Sequence, residues 1–451
     1  MLKALALRRT AIELPVWWPL SGYAALMLVL PLFWFPARLP LLTLAALPVL
    51  PLVVVAALRS ATSGVVRSGL ERPLMVVLLA TCLAAAPVAD WQLGLPKLLG
   101  MAFGAATLLV IVQTIRSRQA LDLVLWLVAL ATLALSVVSL VAVEWTFGKA
   151  PILDAVYTRL PLLVRGFVSG TSTGAIHPNE LAGVLVLLVP LALARGLAAI
   201  AQRDKRSITY VAVGLMGLAV LVLAQSRSGL IAIAVALSLL GARFVVREVR
   251  GQVRFGAVLA YCGMLAGLVV AVWLIVARWL QGGTSDVVLD TFQGRLELWR
   301  RAVYMIQDVP LTGIGIGQFD PVLQALYPTF LAPPTRAVPH AHNVFLEYAV
   351  ELGIPGAIAF GYLVIAALRQ CWRAVRSNET TLSWSAFGLA LSVLSFLLYG
   401  LADAIAPGAR AGLALWIILG LAAAAGRIST NSQPPSQGGY VPNARLSGES
   451  P

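Results

Sequence analysis

Pro339-His340-Ala341-His342-Asn343-Val344-Phe345-Leu346-Glu347-Tyr348 passes from a polar segment into an apolar helix, which runs on to Gly353-Ile354-Pro355-Gly356. Two of the three histidines of the chain stand at this junction, and the third is His177. The apolar helix that follows is one of many. Of the 451 residues 60% are hydrophobic and only 12% are charged, with a mean hydropathy of +0.89. Soluble domains carry roughly 25% charged residues. Long apolar runs in lipid must satisfy their own backbone groups, which leaves helices as the spanning element. The expected fold is an all-α polytopic integral membrane protein.

A span needs roughly 20 apolar residues, and about twelve runs qualify. They lie near 15–36, 41–58, 73–89, 97–115, 120–143, 180–200, 208–225, 229–246, 255–280, 343–368, 383–402 and 411–426. Lys3, Arg8 and Arg9 precede the first, which is long enough to be a retained helix rather than a cleaved leader. The transmembrane domain is read as 1–428, with long polar connections at 144–179 and 281–342. The second holds the helix-spaced run Asp290-Thr291-Phe292-Gln293-Gly294-Arg295-Leu296-Glu297-Leu298-Trp299-Arg300-Arg301 and then Gly313-Ile314-Gly315-Ile316-Gly317. Residues 429–451 are rich in Ser, Gly, Pro, Asn and Gln and read as a disordered tail.

The net charge is +14. Basic residues scattered singly between apolar runs do not make a nucleic-acid surface, so the partners expected are membrane lipids. By the positive-inside rule the face holding Arg59, Arg67, Arg72, Arg116, Arg118, Arg195, Arg243 and Arg247 is cytoplasmic, and so are both termini. The opposite, periplasmic face still holds 12 of the 33 basic residues, among them Arg165, Arg227 and Arg295. That excess indicates that an anion is handled there. Arg227 sits in Gln225-Ser226-Arg227-Ser228-Gly229 with almost no loop around it. A guanidinium at that depth must face a cavity or a partner.

All three histidines fall on the same outer face, and histidine exchanges protons near neutral pH. His340 and His342 are two apart, unlike the i, i+4 pair of a helical zinc site, and no Asp-x-Asp pair occurs. No metal site and no cofactor are therefore expected. In His177-Pro178-Asn179-Glu180 the proline and asparagine make a good helix start, which leaves His177 unexplained. Arg165 precedes Ser169-Gly170-Thr171-Ser172-Thr173-Gly174, which lacks the ending of a phosphate loop. Cys82, Cys262 and Cys371 show no paired spacing.

Taken together these stretches resemble the lipopolysaccharide O-antigen ligases and their relatives, the O-antigen polymerases and protein O-oligosaccharyltransferases. The ligase-type pattern is His-Asn, nine residues, then Gly-x-x-Gly, met here by His342-Asn343 and Gly353-Ile354-Pro355-Gly356. Gln225–Gly229 and Gly294–Trp299 look like the two arginine motifs of that family, and His177-Pro178-Asn179-Glu180-Leu181-Ala182 resembles a further signature. Ligases often carry Leu four residues after the loop arginine, where this chain has Trp299.

The resemblance implies a metal-independent, inverting glycosyltransferase in the bacterial inner membrane. Its donor would be O-antigen linked to undecaprenyl pyrophosphate. In ligases the acceptor is a sugar hydroxyl of lipid A-core on the periplasmic face. In that chemistry His342 is the candidate general base. Arg227, Arg295 and Arg165 are candidates to bind the pyrophosphate, with His340, His177 and Asn343 in support. A polymerase, a protein O-oligosaccharyltransferase and a lipid-linked glycan transporter stay open as alternatives. A transporter would place acidic or paired ionisable residues inside the spans, and the acids of this chain read mostly as loop or span-end residues.

Overall fold

A computed structural model describes residues 68–147, 151–160, 163, 176–249, 253–280, 292–330 and 337–431. The expected spans at 15–36 and 41–58, and Arg165, lie outside these residues. Helices α1 (Glu71–Leu83), α2 (Trp91–Thr114), α3 (Arg118–Ala142) and α4 (Pro151–Tyr157) come first, then α5 (Pro178–Ala201), α6 (Ser207–Leu223), α7 (Arg227–Arg247) and α8 (Val253–Leu280). Next come two shorter helices, α9 (Phe292–Asp308) and α10 (Phe319–Leu326), followed by α11 (Val344–Val375), α12 (Thr380–Tyr399) and α13 (Leu413–Asn431). Among the described residues the one β-type contact is a single bridge between Val143 and Ile176. The architecture is all-helical, as the apolar runs require.

Eight of these helices are long and apolar enough to cross a membrane: α2, α3, α5, α7, α8, α11, α12 and the stretch Arg410–Thr430 that ends in α13. Two further expected spans are shorter than anticipated. The helix within 208–225 has 17 residues. The one within 73–89 ends at Leu83 after 13 residues and gives way to a turn, in which Ala86 N donates to Leu83 O. Pro87 explains the stop, since a residue before proline is pushed out of the helical region. Both long connections contain short helices, α4 in the first and α9 and α10 in the second.

Two helices form the centre. Most of α5 is buried, and α12 packs along it. Gly388 of α12 permits this approach, since a Cβ there would lie 2.7 Å from Ala194 Cβ. By contrast α8 buries nothing of its spanning stretch and touches the bundle through α7. Tyr261 Oη donates to Ser238 O across that contact. Apolar faces turned outward, such as Val269, Val270 and Trp273, suit contact with lipid tails.

Helix α11 is broken at Gly353, where φ is 72° and ψ 175°. The break receives the segment that follows α9. Ile354 N donates to Pro310 O at 2.8 Å, and Ile314 N donates to Val350 O at 2.9 Å. A side chain at Gly353 would place Cβ 2.4 Å from the Leu311 carbonyl oxygen. Gly353 thus joins the segment after α9 to the helix that begins at the histidine pair. Gly353→Ala is expected to destabilise the protein by about 1–3 kcal/mol through the strained φ alone, with the carbonyl clash added. Gly361→Ala, where a Cβ meets nothing within 4 Å, should leave the unfolding midpoint of the purified protein unchanged. Equal midpoints for the two variants would remove the docking role of Gly353.

Candidate active site

The chain enters α11 through a tight turn. His342 has φ of 51°, a left-handed conformation in which His is enriched among non-glycine residues. Asn343 caps the helix, its Oδ1 accepting from Phe345 N at 3.0 Å and Leu346 N at 3.1 Å. The turn is tied down from two further directions. Glu347, one helical turn inside α11, reaches back to accept from Ala341 N at 2.7 Å. Asn343 Nδ2 donates to Leu401 O at 3.0 Å and Val344 N to Gly400 O at 2.8 Å. The segment after α12 is therefore stitched to the start of α11.

That stitching delivers Asp403. Its side chain is 1% exposed. Oδ1 stands 3.1 Å from His342 Nδ1 and also accepts from Ala404 N at 2.9 Å. Oδ2 stands 3.8 Å from Arg295 Nη2, and Arg295 is itself 8% exposed. Burial pushes the Asp403 carboxyl up, but the hydrogen bond with His342 and the charges of His342 and Arg295 outweigh it and hold the group well below the usual carboxylate range. Asp403 is thus ionised and can only accept. Nδ1 of His342 must carry the proton, which leaves the Nε2 lone pair as its basic atom.

His340 lies beside it, the two ring centroids 4.4 Å apart at 70°. Its Nδ1 accepts from His342 N at 3.3 Å. Desolvation first, and then the neighbouring His342, push His340 well below the ordinary histidine value. It is neutral at physiological pH, and its ring proton is on Nε2.

Arg295 is also one wall of a cavity of about 210 Å³. Arg227, Gln225, Ser226, Asn179 and Leu401 complete much of the lining. Arg227 is the first residue of α7, and Ser226 caps that helix by accepting from Gly229 N. The cavity thus combines two guanidiniums with the positive end of a helix, a combination that favours an anion. The turn that carries Gln225 is held by α4. Tyr157 of α4 donates to Leu223 O at 2.6 Å and accepts from Gln225 Nε2 at 2.5 Å, and Trp145 stacks on its ring.

Of the residues singled out in the sequence, His342, His340, Asn343, Arg295 and Arg227 are brought to this end of the bundle. His177 is at the same end, close enough to act on His340. It is itself the cap of α5, Nδ1 accepting from Asn179 N at 3.2 Å. The capping expected of Asn179 is done by its neighbour, and Asn179 instead lines the cavity and accepts from Tyr399 Oη through its carbonyl.

Three residues were missed. Asp403 is 61 positions from His342 and reads in the sequence as one more acid at the end of a span. Glu347 and Glu351 lie inside α11, both fully buried. Lys97 of α2 pairs with Glu351 at 2.8 Å, and Glu351 also accepts from Gly317 N at 3.0 Å. Paired ionisable groups within spans are therefore present, contrary to the reading that acids keep to loops and span ends. They engage fixed backbone groups of the segments before α10 and α11. Acidic side chains four apart in an otherwise apolar helix were the available signal.

His340, His342 and Asp403 also form a donor set that could hold a metal ion, their ligand atoms all within 4.8 Å of one another. Two imidazoles and a carboxylate suit a divalent transition metal. An ion there would have to displace the proton between His342 and Asp403.

The fold and this geometry are those of a multi-pass helical membrane protein with a histidine–aspartate pair beside an arginine-lined cavity at one end of its bundle. Residues 211–361, about a third of the chain, match the family model described as O-antigen ligase. The match is consistent with the O-antigen ligase and polymerase superfamily that the motifs resemble. It takes in Arg227, Arg295, His342 and the break at Gly353, and stops short of Asp403. No curated protein matches the chain.

His340 and Asp403 both make stability depend on pH with one sign. Below the ordinary histidine value of 6.5 the unfolded chain protonates His340 while the folded chain does not, so stability falls with pH. Below the ordinary aspartate value of 3.8 the same holds for Asp403, whose contribution is lost as pH falls through its depressed folded value. Between pH 7 and 5 the unfolding midpoint should drop, at up to about 1.4 kcal/mol per pH unit for the His340 proton. His340→Gln should flatten that slope. An unaltered slope would assign the titration to another group.

Proposed function

We propose that the protein is an O-antigen ligase. It transfers a glycan from undecaprenyl pyrophosphate to a sugar hydroxyl of lipid A-core at the periplasmic face of the inner membrane. The observation that carries this reading is the continuity of His342, Asp403 and Arg295, with Arg295 sharing one cavity with Arg227.

In this reading the acceptor oxygen attacks the anomeric carbon of the first sugar from the face opposite the pyrophosphate, so configuration inverts. The acceptor proton passes to His342 Nε2. Asp403 holds the ring in the tautomer that leaves Nε2 free and stabilises the imidazolium that forms, the role a buried carboxylate plays beside a catalytic histidine. As the bond from carbon to the pyrophosphate oxygen breaks, negative charge grows on the leaving group. Arg227 and Arg295 meet it with paired N–H donors, the positioned charge that a metal ion supplies in other phosphate chemistry. Arg165 is a further candidate for this contact. Asn343 and Glu347 hold the histidine turn, and His340 packs against the base.

A polymerase would use the same donor with a second lipid-linked glycan as acceptor, and a protein O-oligosaccharyltransferase would use a Ser or Thr of a protein. The test is transfer by the purified chain in vesicles, given a lipid-linked glycan with lipid A-core or with no acceptor. Joining to lipid A-core is the expected result, and lengthening of the glycan without it would overturn the ligase reading in favour of a polymerase. His342→Gln should reduce turnover by about 10²–10⁴-fold, the range a positioned general base contributes. Arg227→Gln should weaken use of the donor while the protein stays folded. Normal turnover in the first variant would remove the base, and unaltered donor kinetics in the second would remove the clamp.

A further inference from the structure

The far end of the bundle, away from the cavity, also gathers arginines, and they are not partnered alike. Arg118 of α3 pairs with Glu379 at 2.8 Å, and Arg195 of α5 pairs with Asp122 at 3.1 Å. Arg243 and Arg247, one turn apart near the end of α7, have no carboxylate within 4.0 Å among the described residues. Both instead converge on one neutral oxygen. Arg243 Nη2 donates to Ser383 Oγ at 2.7 Å and Arg247 Nη1 to the same atom at 3.0 Å. Ser383 is fully buried and spends its own proton on Val375 O at 2.5 Å.

Arg243 is fixed from the side. Its guanidinium lies 4.9 Å from the Trp384 ring centre and 4.6 Å from that of Phe387. Its Nε is buried with no acceptor. The acid next along the chain, Glu248, accepts from Trp384 Nε1 at 3.0 Å and offsets part of the charge of Arg243 from beyond ion-pair distance. Two guanidiniums with most of their donors unused, held at one oxygen by rings and a serine, are not the loose surface charge of snorkelling side chains. Like charges brought this close repel, and a phosphate accepts from both at once in the paired geometry that guanidinium prefers.

We infer that Arg243 and Arg247, positioned by Ser383, form a binding site for a phosphate group, that of an anionic lipid headgroup or of free phosphate, at the end of the bundle opposite the cavity. The site owes nothing to the transfer reaction. It would anchor α7, whose first residue is Arg227, to a component of the opposite leaflet or compartment.

The full purified chain is titrated with phosphatidylglycerol and, separately, with phosphatidylcholine, and the bound lipid is counted by native mass spectrometry. A third arm uses inorganic phosphate against chloride at equal ionic strength. Phosphatidylglycerol should bind in preference to phosphatidylcholine, and Arg243→Gln and Arg247→Gln should each weaken it about tenfold, the loss of one charge-assisted contact. Arg247 is exposed, so its variant tests the site even if Arg243→Gln fails to fold. Binding of inorganic phosphate with the same dependence on both arginines would support the site and name free phosphate as its source. Equal binding of both lipids with none of phosphate, or binding that neither variant alters, would overturn the inference.

Discussion

A carboxylate buried to 1% exposure is the constraint on which this end of the molecule turns. Leaving a charge such as Asp403 in a dry interior costs several kcal/mol unless it is paired and its lone pairs are satisfied. His342 and the N–H of Ala404 offset that cost at Oδ1, and Arg295 does so at Oδ2 through charge at 3.8 Å rather than a hydrogen bond, which Oδ2 lacks among the described residues. These partners come from the turn before α11, from α9, and from the segment after α12. One charge thus meets groups from three segments, which the backbone contacts at Gly353 and at Gly400 and Leu401 bring close. It also determines which nitrogen of His342 is basic.

The rest of this end of the bundle reads as support for that arrangement. Asn343, Glu347 and the Gly400 and Leu401 carbonyls fix the histidine turn on three sides. The break at Gly353 admits the backbone from Pro310 to Ile314, and the Glu351 pair with Lys97 secures Gly317 behind it. The connection bearing Arg295 is therefore docked on α11 at several points. Precision of this kind matters, because a base and an anion clamp misplaced by about 1 Å forfeit much of their effect.

The helical class was legible because apolar runs of span length have few other uses, and the ends of α3, α5 and α7 fall within two residues of the expected ones. The 73–89 run was too long because hydropathy does not register the stop that Pro87 imposes. Within the site, Arg227 and Arg295 were legible as costly charges, and His342 through its motif. Asp403 was not, because its role arises from a contact across 61 residues and a lone acid beside a span end has no pattern. Glu347 and Glu351 were visible as carboxylates in an apolar helix, but their partners, a backbone N–H and a lysine of α2, come only with tertiary packing. The family match ends before Asp403, so the residue that joins the motifs is outside the segment by which the chain is classified.

The claim that His342 and Asp403 act as one unit is tested most directly by a double-mutant cycle on transfer by the purified protein. His342→Gln, Asp403→Asn and the double variant are compared at saturating donor. A unit predicts strong non-additivity, the double variant being no slower than His342→Gln alone. Losses that multiply in the double variant would mean that the two residues serve the reaction separately, and would contradict the account.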